Sequence, residues 1–293
     1  QTGIDDSVAG DTVEVSAGTY NYVTEGSPDP AGLIKVTKPL TIKAAEGARP
    51  VIDGTGFDGV FKIWATTFIG GEVVIEGFEI IGDGTTDIAI TAPMHDSGDP
   101  TKIIIRDNII HGMNSGIDFW GSGDVAAEKL VNNVEITNNE FYDLGQDGAA
   151  GFGTMLEDLK GGVEFAAVVE GNLFRDIHDG TSDPGVGIVI PRADEANGEA
   201  VNLSISNNTF ENTVSLGVAI TDGDVSSADI ANNIFDESVL FVDDVSISSG
   251  PVDASPNWWG SEAGPYEGQI IGDVDFVPWC EDETCTTFMP NGD

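Results

Sequence analysis

The sequence predicts an all-β protein whose chain winds into a stack of similar coils, and two repeated patterns predict it. The first pattern is a hexapeptide with Asn at its fourth position and Ile or Phe at its sixth. Its copies are Ile105–Ile110, Ile136–Phe141, Val169–Phe174, Ile205–Phe210 and Ile230–Phe235, with a degenerate copy at Ile75–Ile80. Successive Asn positions are 31, 33, 36 and 25 residues apart, so a constant corner alternates with loops of variable length. Such units cannot bury their own apolar faces, but stacking at about 4.8 Å per coil buries a continuous core.

The second pattern is a short strand in which apolar residues alternate with small or polar ones. Its copies are Gly59–Trp64, Asp87–Thr91, Gly116–Trp120, Gly185–Ile190 and Leu216–Thr221. A period of two is typical of strands with one buried face. Each coil is therefore predicted to contain this strand, a strand that leads into the Asn corner, and a strand that follows it.

Composition limits the possible partners. The chain has 293 residues, of which 40% are hydrophobic, and its 51 Asp and Glu against 11 Lys and Arg give a formal net charge of −40. The apolar fraction predicts a globular protein, and the charge argues against nucleic acids and anionic membrane surfaces as partners. No apolar run approaches the roughly 20 residues of a membrane span, so no membrane insertion is expected. The acid excess fits a high-salt environment, divalent-cation binding, or solubility alone.

The repeated Asn is expected to have two roles. It tolerates the left-handed backbone conformation that a sharp corner needs, and its amide can hydrogen-bond from coil to coil. We therefore expect a ladder of Asn108, Asn139, Asn172, Asn208 and Asn233. Two residues further on, we expect an interior stack of Phe141, Phe174, Phe210 and Phe235.

The chain resembles the right-handed parallel β-helix proteins of the pectate-lyase-like superfamily. The Asn hexapeptide, the opening pattern Gly10–Tyr20 and the closing pattern Asn257–Pro265 carry the resemblance, which is nearest in style to bacterial and archaeal secreted or cell-surface proteins. It implies one right-handed parallel β-helix domain of about 8–10 coils. It also implies an extracellular or cell-surface location. The fold alone does not give the function, because it supports lyases, hydrolases, epimerases and passive surface proteins.

The predicted domain covers residues 1–293. Residues 1–20 would be the remnant of an N-terminal cap and the first strand, residues 21–250 the coils, and residues 251–293 a closing coil with an acidic tail, in a piece of a longer secreted protein. Cys280 and Cys285 are close enough for a small disulfide loop, which suits an extracellular protein, although two free thiols also fit the spacing.

By analogy with the fold, the alternating strand belongs to the first sheet, which carries the substrate groove in β-helix polysaccharide enzymes. Alternation predicts an outward row there of Lys62, Ala89, Asp118, Gly153, Val189 and Ala219. A second outward row would hold Trp64, Thr91, Trp120, Met155, Pro191 and Thr221. This strip is apolar, so either long loops cover it or Trp64 and Trp120 bind a sugar or a partner.

Acid–base candidates occur in the segments expected beside that strip. Arg side chains that neutralise a carboxylate, with His or Tyr as acid or base, would suit a uronate lyase or epimerase. The candidates are His111, Asp118, Tyr142, Asp143, Arg175, His178 and Arg192. The catalytic signatures of known β-helix enzymes are missing from the sequence.

Asp residues that flank Gly turns are candidates for Ca²⁺, since carboxylate and carbonyl oxygens are its preferred ligands. These candidates are Asp53, Asp58, Asp83, Asp87, Asp179, Asp183, Asp222 and Asp224. Ordinary turn chemistry explains the same pattern, so no cofactor is assigned with certainty. The sequence favours a non-catalytic extracellular or cell-surface module whose partners are neighbouring subunits or a surface glycan. The alternative is a polysaccharide lyase or epimerase that acts on an acidic glycan in the first-sheet groove.

Overall fold

The structure is a computed structural model that describes residues 1–21, 32–63, 71–84, 88–94, 101–121, 131–146, 148–156, 165–191, 201–212, 214–225, 227–247 and 250–289. These residues contain one short helix, α1 (Thr2–Asp6). The remaining elements are strands, whose bounds follow in chain order.

The strands up to the middle of the chain are β1 (Thr12–Val15), β2 (Thr19–Tyr20), β3 (Ile34–Val36), β4 (Thr41–Ala44), β5 (Val51–Asp53), β6 (Gly59–Ile63), β7 (Gly71–Glu76), β8 (Glu79–Ile81), β9 (Ile88–Met94), β10 (Thr101–Arg106), β11 (Ile109–Met113), β12 (Ser115–Gly121), β13 (Val131–Thr137) and β14 (Glu140–Leu144). The later strands are β15 (Phe152–Leu156), β16 (Phe165–Glu170), β17 (Leu173–Ile177), β18 (Val186–Pro191), β19 (Val201–Ser206), β20 (Thr209–Glu211), β21 (Leu216–Val225), β22 (Ser227–Ala231), β23 (Ile234–Phe235), β24 (Val239–Ile247), β25 (Val252–Asp253), β26 (Ile270–Ile271) and β27 (Val274–Asp275).

Three parallel sheets surround one core, and each takes one strand from successive coils. The first sheet has nine strands in the order β3-β6-β9-β12-β15-β18-β21-β24-β26. The second has ten, β1-β4-β7-β10-β13-β16-β19-β22-β25-β27, and the third has eight, β2-β5-β8-β11-β14-β17-β20-β23. Every strand pairs with its counterpart one coil away, which confirms the predicted parallel β-helix.

The predicted Asn ladder is present and runs through six coils. The side-chain amide nitrogen of each Asn donates to the side-chain oxygen of the Asn in the next coil, at 3.0 Å at every step from Asn108 to Asn257. The backbone N–H of each Asn donates to the same oxygen, as in the 3.0 Å bond from Asn108 to Asn139. All ladder side chains are buried, so these bonds satisfy groups that water cannot reach.

The corner itself uses a different residue from the one expected. Positive φ values belong to the residue before each of the five predicted ladder Asn, including Asp107 at 58°, Asn138 at 55° and Asn207 at 57°. The expectation that the ladder Asn supplies the left-handed conformation is therefore wrong. Asn, Asp and Gly at the preceding position tolerate that conformation, and the ladder Asn supplies only hydrogen bonds.

The predicted Phe stack is also present. Phe141 and Phe174 have ring centroids 4.8 Å apart, Phe174 and Phe210 5.2 Å, and Phe210 and Phe235 5.0 Å. Trp259 extends the stack at 4.7 Å from Phe235. These rings lie on the inner face of the third sheet and fill the middle and C-terminal part of the core.

A row of small residues on the first sheet faces the aromatic stack. A methyl group added at Gly153 would lie 2.5 Å from the Phe174 ring, and one at Gly187 would lie 2.7 Å from the Phe210 ring. The same relation joins Gly116 to Phe141. One coil earlier the small residue is Ala89, and its counterpart in the stack is Ile110. Because the close-packed core has a fixed width, a Phe ring on the third sheet requires a glycine opposite it on the first sheet.

This row corrects two predicted outward positions. Ala89 is fully buried within the core, and the hydrogen of Gly153 points towards Phe174. Strict alternation fails at the start of several first-sheet strands, where two consecutive residues face the interior, as Val60 and Phe61 do. The true outward row is Lys62, Thr91, Asp118, Met155, Val189 and Ala219, whose members pair in register.

The two ends of the solenoid differ. At the N-terminal end, α1 places Ile4 against the core, and the Gln1 amide bonds the N–H and C=O of Lys35 in the edge strand β3. At the C-terminal end, residues 250–289 form a closing segment. Its Gln269 is fully buried and donates to three backbone carbonyls, and Cys280 and Cys285 form a disulfide.

Candidate functional site

Three acid–base candidates lie together on the outer face of the third sheet. His111 in β11, Tyr142 in β14 and Arg175 in β17 pair in register on consecutive strands. From the sequence, these three residues are expected in the segments that flank the first sheet, outside its strands. That placement is wrong, because the strand after the Asn corner continues for five residues in these coils and includes them.

These side chains form a stack along the solenoid axis. The His111 and Tyr142 rings are nearly parallel, with centroids 4.4 Å apart, and the Arg175 guanidinium lies 4.1 Å from the Tyr142 centroid. Tyr142 therefore has an imidazole on one face and a cation on the other. A stack of this kind adds a cation–π contact to the aromatic one.

Carboxylates bind both ends of the stack. Arg175 pairs with Glu140 at 2.7 Å and with Asp176 at 2.9 Å, and the His111 imidazole lies 3.3 Å from a Glu79 oxygen. The side chains in these pairs keep between 22% and 39% of their surface exposed, so solvent screens the pairs. His178 and Asp143 form a further, more exposed pair at 3.2 Å beside the stack.

The electrostatics of this group do not suit a Tyr base. Burial raises the pKa of Tyr142, and the nearby Glu79 and Glu140 carboxylates raise it further, while Arg175 opposes the change. The hydrogen bond to Glu140 raises the pKa of Arg175, so the guanidinium stays charged and bound to its own carboxylates. A general base works best with a pKa near the working pH, and a sugar ring needs a free aromatic face. In this cluster both faces of Tyr142 are occupied by its neighbours.

The first-sheet strip contains the remaining candidates. Thr91 and Ala219 are buried, with 5% and 3% of their surface exposed, and Lys62, Asp118, Met155 and Val189 are half-buried. Two members of the outward row are thus buried, and four remain partly exposed to solvent. Trp64 and Arg192 lie outside the described residues, and the structure describes the backbone of Trp120 but not its side chain.

The calcium candidates occupy turns on several faces. The Asp179 carboxylate accepts from the Gly185 N–H at 2.6 Å and from the Ser215 hydroxyl at 2.7 Å, and Asp53 accepts from the Thr55 N–H at 3.1 Å. Asp58, Asp83 and Asp183 are exposed turn residues. Asp87 and the side chains of Asp222 and Asp224 lie outside the description. Within the described ranges, no three His, Cys, Asp or Glu side chains are grouped so as to hold a metal ion.

Sequence reasoning missed two features. The closing pattern Ala254–Trp259 has the hexapeptide spacing, so Asn257 and Trp259 could have been assigned to the ladder and the stack. The second feature is a column of Asp229, Asp253 and Asp275, which pair in register on the outer face of the second sheet. Variable loops separate these three residues, so no fixed spacing indicates the column.

Three in-register parallel sheets around one core, with an Asn ladder at one corner, define a parallel β-helix protein. No protein-family model matches the chain, and neither a curated protein nor a solved structure shows significant similarity to it. In the described part of the chain, no helix is long and apolar enough to cross a membrane.

Proposed function

We propose that the protein is a non-catalytic, extracellular or cell-surface β-helix module of the pectate-lyase-like superfamily with a structural role in assembly or adhesion. The observation that carries the proposal is the arrangement of the acid–base candidates. His111, Tyr142 and Arg175 stack on one another and bind their own carboxylates on a sheet face. Such a set stabilises the contact between neighbouring coils rather than offering free groups to a substrate.

Further support comes from the charge and from the disulfide. A formal net charge of −40 repels a uronate polymer unless salt or a divalent cation intervenes. The Cys280–Cys285 disulfide suits an oxidising, extracellular location.

The test is a turnover assay on alginate, pectate and other uronate glycans that detects unsaturated or epimerised products. We expect no turnover above a heat-inactivated control at low or molar salt, with or without millimolar Ca²⁺. Turnover that disappears in His178→Ala, Tyr142→Phe or Arg175→Gln, while each variant retains its β-sheet circular dichroism, would contradict the structural role and establish the lyase or epimerase alternative.

A further inference from the structure

One corner of the solenoid contains an Asn-x-Thr sequence that no step of the proposed function uses. Asn207, Asn208 and Thr209 connect β19 to β20 at the corner that holds the Asn ladder. Asn followed two residues later by Ser or Thr, with any residue except Pro between them, is the acceptor pattern for N-linked glycans in secreted proteins. The pattern is short, so the argument depends on where the structure places its members.

The acceptor and the hydroxyl residue of this pattern both face outward. Asn207 is exposed, and Thr209 is partly exposed on the outer face of the third sheet, because the next residue, Phe210, points into the core. Between them, the ladder residue Asn208 is fully buried. The corner therefore presents the first and third members of the pattern on its exterior and keeps the middle member inside.

The side chain of Asn207 makes only surface contacts. Its φ is 57°, and its backbone N–H donates to the Ala231 carbonyl at 3.2 Å, so the turn is fixed by the backbone. The side-chain amide nitrogen lies 3.2 Å from a Glu170 carboxylate oxygen and 3.5 Å from the Ser206 hydroxyl. An N-linked sugar replaces one of the two amide hydrogens, and the other hydrogen can keep the bond to Glu170. Modification of this nitrogen therefore leaves the ladder bonds intact.

A second copy of the pattern, Asn202–Ser204, has different surroundings. Asn202 is half-buried within β19, which pairs with β16 on one side and with β22 on the other. Its side-chain oxygen accepts from the Ser227 hydroxyl at 2.7 Å. A strand that is paired on both sides holds the acceptor among its neighbours, whereas the corner projects Asn207 away from them. Asn207 is therefore the better-placed acceptor.

Two other corners have the same geometry and lack only the hydroxyl. Asn138 and Asn232 are exposed, have φ values of 55° and 58°, and each precedes a ladder Asn. The residues two positions after them are Glu140 and Ile234 instead of Ser or Thr. These corners are internal controls, because they contain the exposed amide and the same turn without the acceptor pattern.

We infer that Asn207 is a site of N-linked glycosylation. The donor is a glycan carried on a lipid phosphate, and a glycosyltransferase of the cell catalyses the transfer. The Asn207 Nδ2 bonds to the anomeric carbon of the glycan as the bond from that carbon to the phosphate oxygen breaks. The lipid phosphate leaves, and the amide nitrogen gives up one proton to solvent. The inference rests on the proposed extracellular location, since the pattern is used in secreted proteins. A bulky, solubilising glycan there also keeps this corner out of close contacts with neighbouring subunits.

Peptide mapping by mass spectrometry tests the inference, on the full protein purified from the cells that naturally produce it. Trypsin is unsuitable, because residues 193–293 contain neither Lys nor Arg. Chymotrypsin, which cleaves after Leu and aromatic residues, cuts after Leu203 and Phe210. The peptide between these two cuts contains Asn207 but not Asn202, so the two copies of the pattern are separated.

We expect the Asn207 peptide to gain the mass of a glycan, and the peptides with Asn138 and Asn232 to remain unmodified. In the same cells, Thr209→Val should abolish the modification and Thr209→Ser should preserve it, because only the second variant keeps a hydroxyl. Ile234→Thr creates the pattern at a matched corner and should add a glycan to Asn232. Circular dichroism confirms that each variant retains its β-sheet structure.

The opposite results separate this inference from the proposed function. An unmodified Asn207 in protein recovered outside the cell overturns the inference and leaves the proposed location and role intact. A glycan that persists in Thr209→Val, or that occurs on Asn202 alone, contradicts the assignment to this pattern. Protein found only in the cytoplasm and without glycan removes the extracellular location together with the site. Turnover of a uronate glycan in the activity assay removes the non-catalytic role, whereas a glycan on Asn207 still supports the site.

Discussion

Each ladder Asn side chain joins three coils, and this explains why one residue type recurs at that corner. The amide nitrogen of Asn208 donates to Asn233 at 3.0 Å and to the Val169 carbonyl at 2.8 Å. Its oxygen accepts from the backbone and the side chain of Asn172, both at 3.0 Å. No apolar residue can replace these four bonds, and an Asp cannot donate.

Replacing Asn208 with Ala is expected to lower the free energy of unfolding by about 3 kcal/mol, near the upper end for an unsatisfied buried group, because several buried partners lose their bonds at once. Urea unfolding followed by circular dichroism measures the change. Ser206→Ala, on the surface of the same corner, should cost less than about 0.5 kcal/mol. Equal effects of the two substitutions would contradict the importance of the ladder.

Asp229 makes stability depend on pH. Burial raises the pKa of Asp229, and the Asp253 carboxylate beside it raises the pKa further. The folded state therefore favours the protonated form, so this contribution to stability is fully present below the ordinary Asp pKa of about 3.9 and is lost as pH rises through the folded value. Asp229→Asn should then be more stable than the parent at pH 7, and the difference should vanish at low pH.

The gain from Asp229→Asn should be small, about 0.3 kcal/mol, because the carboxylate is only partly desolvated and solvent still reaches and screens it. Thermal unfolding at several pH values measures it. Asp243→Asn removes the same charge from an exposed position on the first sheet and serves as the control. If both variants gain equally at pH 7, the effect comes from net charge and not from the Asp column.

At the scale of the elements, the core width is set by pairs of residues from different sheets. Where the third sheet supplies Phe141, Phe174, Phe210 and Phe235, the first sheet supplies Gly116, Gly153, Gly187 and Gly217. A ring and a side chain larger than hydrogen cannot both fit across the core there. The glycines are needed for space, and in these four strands the glycine and the residue after it both face the interior.

Gly153→Ala is expected to destabilise the protein by about 1–3 kcal/mol through overpacking. Its added methyl group would lie 2.4 Å from the Gly187 carbonyl oxygen and 2.5 Å from the Phe174 ring. Gly3→Ala in α1 is the control, since its methyl group meets only Val13 at 3.3 Å. Combining Gly153→Ala with Phe174→Leu should recover part of the loss in a double-mutant cycle, and strictly additive losses would contradict the pairing.

The sequence predicts the ladder, the stack and the three sheets because their pattern repeats at fixed positions around the Asn corner. It does not predict which first-sheet residues face outward, since alternation fails where Ala89 and Gly153 turn inward. It also does not predict the stack of His111, Tyr142 and Arg175. Those residues meet only because their strands are in register, and loops of different length separate them.

For the whole molecule, the excess of carboxylates opposes the compact state. The formal net charge is −40, so the carboxylates repel one another. The screening length of that repulsion is about 10 Å at 0.1 M salt but only about 3 Å at 1 M. We predict that the melting temperature rises with NaCl from low to molar concentration, or with millimolar Ca²⁺, which neutralises carboxylates directly. A melting temperature that stays flat in salt and does not respond to EDTA would contradict both effects.

The ladder also has an electrical direction. Every amide carbonyl from Asn108 to Asn257 accepts from the coil on its N-terminal side, so these six dipoles point the same way along the axis. Hydrogen bonds aligned in such a chain polarise one another. Their positive ends face the closing segment, where the chain has carboxylates and no Lys or Arg from residue 193 onward. The alignment thus places a buried electropositive pole next to a segment that has acidic residues and no compensating Lys or Arg.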